Sequence, residues 1–186
     1  MEPAMTALPA AEPFTYDDLR AFPDDGYRRE LIDGQLIVSP SPIRLHQRCV
    51  AHLLLLLDGA APPELEVLPG PVDFVVDQST VLVPDLIVVP LQEPPEPTIT
   101  VPPLLVVEVA SPSTRRTDRT LKLATYEAAG VASYWLVDPE GPTLTAVELG
   151  DGGYGEPVTV AGDQPYLAAR PFPVEVVPAR LVAPGR

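Results

Sequence analysis

Apolar and polar positions alternate, run together or recur at helical spacing in a definite order along this chain. "TYDDLRAF" places a threonine N-cap and two early aspartates ahead of a short amphipathic helix that Pro23 stops. "RRELIDGQLIVSP" has two apolar-rich runs flanking Asp33-Gly34, a dipeptide suited to a tight two-residue turn, and predicts a β-hairpin. "IRLHQRCVAHLLLLL" has helical length, with Ile43, Val50, Leu53, Leu54 and Leu57 expected on one apolar side and Gly59 at its end. Four strand-like pieces follow: "LEVLP", "VDFVV", "DLIVV" and "LLVVEV". The last two are almost uninterrupted apolar runs, the pattern of strands covered on both faces.

A helix is expected over "TDRTLKLATYEAAG", with Thr117 or Asp118 as its cap and Gly130 closing it. "ASYWLVD" is a further strand. "LTAVEL", "EPVTV" and "FPVEVV", separated by Gly, Asp and Pro, predict a peripheral antiparallel C-terminal extension. The order implies one α/β domain, its mixed central sheet flanked by helices. Residues 13–180 are assigned to that domain, with a mobile N-terminal tail over 1–12 and a C-terminal tail over 181–186.

Composition narrows the picture. The 186 residues and 46% hydrophobic content suit a single globular unit, and the 26 prolines are spread through loops and tails rather than forming a repeat. Net charge is −14, which repels a phosphate backbone at long range and counts against non-specific nucleic-acid binding. The single cysteine, Cys49, falls in the apolar helix pattern and reads as a small core residue. No apolar stretch reaches membrane-spanning length and the N-terminus lacks the pattern of a secretory signal, so a cytoplasmic protein without membrane association is expected.

Candidate chemistry begins with Glu108, a carboxylate near the end of the apolar run "LLVVEV". A charge inside an apolar strand loses several kcal/mol of hydration unless something pairs with it or coordinates it. Asp85, after Pro84 at the head of "DLIVV", is the natural companion, although an aspartate after proline is often only a strand start. Together the two would make a hard-oxygen site suited to Mg²⁺ or Mn²⁺. Lys122 is the one lysine in the chain, the other eleven basic residues being arginines. It lies early in the helix after the glutamate strand, where it either reaches back toward Glu108 as a compact point charge or is simply solvated.

Three blocks, "RRELIDGQLIVSPSP…H", "VPDLIVV" and "PPLLVVEVASPSTRRTDRTLKLATYEAAGVASYWLVDP", together resemble the Uma2 family of restriction endonuclease-like proteins, once catalogued as a bacterial domain of unknown function. The resemblance runs in order from about Tyr27 to Pro139. It implies the PD-(D/E)XK nuclease fold, in which Pro84-Asp85 match the "PD" and Glu108 the acidic position. The chain departs from that motif at Ala110, where a lysine is expected, and the family's displaced lysine matches Lys122. Glu30 matches another acidic family position and is a candidate further ligand. His46 also fits the pattern, though a histidine on a helix surface is more often structural.

The implied activity is metal-dependent hydrolysis of phosphodiester bonds in DNA. Asp85 and Glu108 would hold Mg²⁺ or Mn²⁺, and Lys122 would orient water or stabilise developing charge. Arg115, Arg116 and Arg119 are candidate phosphate contacts, or else a solvated charged loop. No helix-turn-helix, zinc site or aromatic stacking platform is evident for sequence-specific readout, and a homodimer is expected by analogy with enzymes that cut both strands. Two other readings stay open: a non-catalytic binding or oligomerisation module that retains the fold, and a metal-dependent hydrolase of another phosphate ester.

Overall fold

A computed structural model of the chain describes residues 12–23, 25–92, 96–111 and 118–184. Its first element, α1 (Tyr16–Ala21), opens on a reciprocal capping box: the Thr15 hydroxyl accepts from the Asp18 N–H, and the Asp18 carboxylate accepts from the Thr15 N–H at 2.8 Å. Strands β1 (Arg28–Ile32) and β2 (Gln35–Ser39) form the expected hairpin, in register from Arg28 with Ser39 to Ile32 with Gln35. Asp33 and Gly34 both take positive φ, 50° and 73°, as a two-residue turn between right-twisted strands requires.

Helix α2 (Arg44–Asp58) runs to Gly59 and buries His46, Cys49, Leu53 and Leu57. Ile43, expected on that apolar side, precedes the helix and is 52% exposed, because the face turned inward is set by the 46-49-53-57 spacing.

Strands β3 (Leu65–Pro69), β4 (Phe74–Val75), β5 (Val81–Leu82), β6 (Leu86–Pro90) and β7 (Leu105–Val109) follow. A π-helical stretch, Asp118–Lys122, leads into α3 (Leu123–Ala128), and β8 (Ser133–Asp138) returns to the sheet. The rest comprises β9 (Thr143–Gly150), β10 (Gly153–Tyr154), β11 (Val158–Ala161), β12 (Tyr166–Ala168), β13 (Val174–Val176) and α4 (Pro178–Val182).

The central sheet is mixed: β10-β9-β8-β7-β6-β3, with β11 on β9. β7 and β8 are parallel, while β6 pairs antiparallel with both β7 and β3. The C-terminal segment is therefore less peripheral than expected. "LTAVEL" and "EPVTV" supply β9 and β11, which extend the central sheet, and only β13 pairs apart from it, with β12. Alternating residues of β9 are buried, so it gains by packing on β8 what an outlying hairpin would leave in water.

Both faces of β6 and β7 are covered. On one, Leu86, Val88, Leu105, Val107 and Val109 meet Cys49, Leu53 and Leu57 of α2. On the other, Ile87, Val89 and Val106 meet Tyr126 of α3 together with Ile32, Phe74 and Leu82 of the second sheet, ordered β2-β1-β5-β4.

The expected C-terminal tail starts inside α4. Leu181 is buried, its carbonyl accepts from His52 Nδ1 at 2.9 Å, and the Val182 carbonyl accepts from Arg48 at 3.2 Å. Of the N-terminal tail, residues 1–11 lie outside the described residues. Among the described residues, no helix is long and apolar enough to cross a membrane.

Candidate active site

The register of β6 on β7 pairs Leu86 with Val107, so one step further Asp85 stands opposite Glu108 at the same end of the sheet. Strand β1 brings Arg28 and Glu30 to that end, α2 brings His46, the π-helical stretch brings Lys122, and α3 brings Tyr126. Glu30, His46, Asp85, Glu108 and Lys122 are all buried.

Asp85 is enclosed by donors. Its Oδ1 accepts from Arg28 at 2.7 Å; its Oδ2 accepts from the Val109 N–H at 2.8 Å and lies 3.1 Å from His46 Nε2. Burial alone would raise the carboxyl's pKa. The His46 hydrogen bond, the Arg28 charge and the Val109 amide outweigh burial and hold it at about 2. Arg28 responds in the opposite sense: burial disfavours its charge, but Glu108, Asp85 and Glu30 raise its pKa above the ordinary value.

Lys122 Nζ lies 2.8 Å from Glu30 Oε1 and 2.9 Å from Glu108 Oε1. The Tyr126 hydroxyl donates to the same Glu108 oxygen at 2.7 Å, and the Val83 N–H donates to Glu30 Oε1 at 2.9 Å. Burial, then the Glu108 and Glu30 charges, keep Tyr126 protonated far beyond the usual phenol range. Lys122 is thus no solvated helix residue. It is the cation that makes two buried glutamates tolerable, in company with a neutral phenol.

The donor chemistry suits a divalent ion, since Glu30, Asp85 and Glu108 are buried carboxylates brought to one sheet end. One of their oxygens, Glu30 Oε2, has no hydrogen-bond partner and only Arg28 Nε nearby, at 3.9 Å. Among the described residues, no three His, Cys, Asp or Glu side chains are gathered as a ligand cluster. Lys122 stands between Glu30 and Glu108, and Arg28 engages Asp85.

A cleft of about 760 Å³ opens onto this site. Asp85, His46, Arg28 and Ser111 line its inner part; Tyr16, Arg20, Phe22, Tyr27 and Arg29 stand among the residues of its α1 and β1 side.

Of the residues singled out from sequence, Asp85, Glu108, Lys122, Glu30 and His46 come together in one connected network. Arg115 and Arg116 lie outside the described residues, as do Thr117 and Pro112. Arg119 falls in the π-helical stretch, where only its backbone is described. Neither Arg28 nor Tyr126 is given a site role by the sequence reading. The two-residue period of β1 puts Arg28 on the same face as Glu30, and helical spacing puts Tyr126 one turn beyond Lys122, so both were within reach of the pattern.

Residues 15–180 match the Uma2 family model, described as putative restriction endonuclease. Among solved structures, the chain is similar to a crystal structure of a putative nuclease of the DUF820 group from Anabaena variabilis. The TM-score is 0.71 at 20% sequence identity, covering 86% of this chain and 90% of that one. That likeness shows the fold. A comparison with curated proteins finds no match.

Proposed function

The chain belongs to the Uma2 family, and from that premise we propose that it is a metal-dependent endonuclease hydrolysing phosphodiester bonds in DNA. The observation that carries this reading is the buried pair Asp85 and Glu108, set opposite one another at the sheet end, with Lys122 2.9 Å from Glu108 and a cleft reaching Asp85.

Asp85 and Glu108 would hold Mg²⁺ or Mn²⁺, with Glu30 the candidate third oxygen donor through its unpartnered Oε2. A divalent ion bound there supplies Lewis-acid polarisation of a phosphate and a more acidic bound water. The chain's own residues do the positioning. The Val109 amide and His46 fix the Asp85 carboxylate, and Tyr126 fixes that of Glu108. Lys122 neutralises the glutamates and keeps a point charge beside the reacting region. Arg28, part-exposed and lining the cleft, is placed to exchange Asp85 for a phosphate oxygen. A homodimer would present two such clefts to the two strands of a duplex.

One observation favours a second reading, a binding module that keeps the fold without the activity: both Asp85 oxygens are already satisfied by protein donors. Cleavage of supercoiled plasmid in Mg²⁺ or Mn²⁺ separates the two. The nuclease reading expects nicking by the wild type that falls to background in Glu108→Gln and is abolished by chelation. A folded wild type that leaves plasmid and single-stranded DNA intact in both metals contradicts it.

A further inference from the structure

The cleft's outer rim carries groups that the hydrolytic network does not use. Arg29 is clamped by both oxygens of the Asp25 carboxylate. Its guanidinium carbon lies 4.7 Å from the centre of the Phe22 ring and 5.9 Å from that of Tyr27. Arg20 sits over the Tyr16 ring at 5.9 Å and, among the described residues, pairs with no carboxylate. Tyr27 is 57% exposed, a large aromatic surface left in water and held in place by a pinned arginine.

Tyr27 is also the neighbour in sequence of Arg28, whose guanidinium touches Asp85. The rim ring and the carboxylate network are therefore joined through adjacent residues of one chain segment and line the same cleft.

We propose that this rim is a stacking platform and that the cleft takes an unpaired, single-stranded segment of nucleic acid, one base on Tyr27 and its phosphate directed inward toward Arg28 and Asp85. The inference specifies the substrate of the nuclease reading and rests on it for why a phosphate chain enters the cleft.

Three features of the cleft carry it. A volume of about 760 Å³ accommodates a nucleotide or two and is far too small to enclose a duplex. Aromatic rings interleaved with arginines bind bases through their faces, which every base offers and which a duplex hides. Of the three arginines that line the cleft beside Asp73 and Asp85, Arg28 and Arg29 are ion-paired, and Arg20, which among the described residues has no carboxylate partner, is the positive group left for a phosphate. Because Asp25 and Phe22 already fix Arg29 beside Tyr27, little side-chain freedom is lost when a base arrives.

Fluorescence anisotropy tests this with the full chain, a fluorescein-labelled single-stranded DNA and the duplex of the same sequence. It is run in EDTA, and again in Mg²⁺ with the Glu108→Gln variant. The single strand is expected to bind about tenfold or more tighter than the duplex. Tyr27→Ala is expected to lose about tenfold of that affinity, and Tyr27→Trp to retain it. Tyr27 is exposed, so these variants keep the fold. Duplex binding as tight as single-strand binding overturns the proposal, as does an unchanged affinity in Tyr27→Ala or no binding of either DNA.

The nuclease reading fails by a different result, Tyr27-dependent binding of single strands with no cleavage of any DNA in Mg²⁺. Duplex nicking that is indifferent to Tyr27 leaves the nuclease reading intact and overturns this one.

Discussion

Lys122 is flanked by two glutamate oxygens at 2.8 and 2.9 Å in a fully buried setting, where its charge offsets theirs. Removing one member of such a network strands the other charges in low dielectric, at a cost of roughly 3–5 kcal/mol. Lys122→Met is therefore expected to lose stability on that scale in urea unfolding, while Glu30→Gln, which leaves the lysine its second carboxylate, loses less. Asp85 makes a pH prediction. Its pKa falls from the ordinary 3.8 to about 2 in the folded chain, against the effect of burial, through His46, Arg28 and the Val109 amide. A depressed carboxylate contributes stability that is complete above its unfolded pKa and is lost as pH falls through the folded one. That contribution, on the order of 2 kcal/mol, should disappear between about pH 4 and pH 2. Asp85→Asn should flatten the acid limb of an unfolding curve measured over that range.

Among the elements, the turn after β3 is where backbone geometry bears most directly on the site. The Gly70 N–H donates to the Asp85 carbonyl at 2.9 Å, and a Cβ at Gly70 would sit 2.5 Å from the Pro84 carbonyl oxygen. That neighbour is backbone and cannot swing away. Gly70→Ala is expected to cost about 1–3 kcal/mol and to displace Asp85, lowering the rate of cleavage more than the affinity for DNA. The hairpin, α2, β6 and β7 were legible in the sequence because each carries a strong period or an unbroken apolar run with clear stops. Strand β4 was read within "VDFVV", but β5 and β10 were not, since two residues hold no period and their pairing is decided by the strand alongside. The same contrast holds within the site. Glu108 is conspicuous as a charge in an apolar run, whereas the roles of Glu30, His46 and Arg28 exist only once β1 and α2 are folded against Asp85. The π-helical stretch that ends on Lys122 has no signature in "DRTLK", yet its last residue is the one that meets Glu108.

At the scale of the whole molecule, a net charge of −14 and an arginine-bearing cleft act at different ranges. Long-range repulsion of DNA is screened over a Debye length of about 8 Å at physiological ionic strength, while contacts inside the cleft are screened less. The efficiency of cleavage, kcat/KM, should therefore pass through a maximum as NaCl is raised from low concentration, rather than fall monotonically as it does for a basic nuclease. A monotonic fall would mean that another part of the chain presents a positive surface to DNA.

The measurement closest to the central claim is Mn²⁺ affinity by isothermal titration for the wild type, Asp85→Asn, Glu108→Gln and the double variant. If the two carboxylates hold one ion, each single change weakens binding severely and the double variant is scarcely worse than either, because residues of one site are not additive. Mn²⁺ binding that survives the loss of both carboxylates, or that is absent from the folded wild type, contradicts the account.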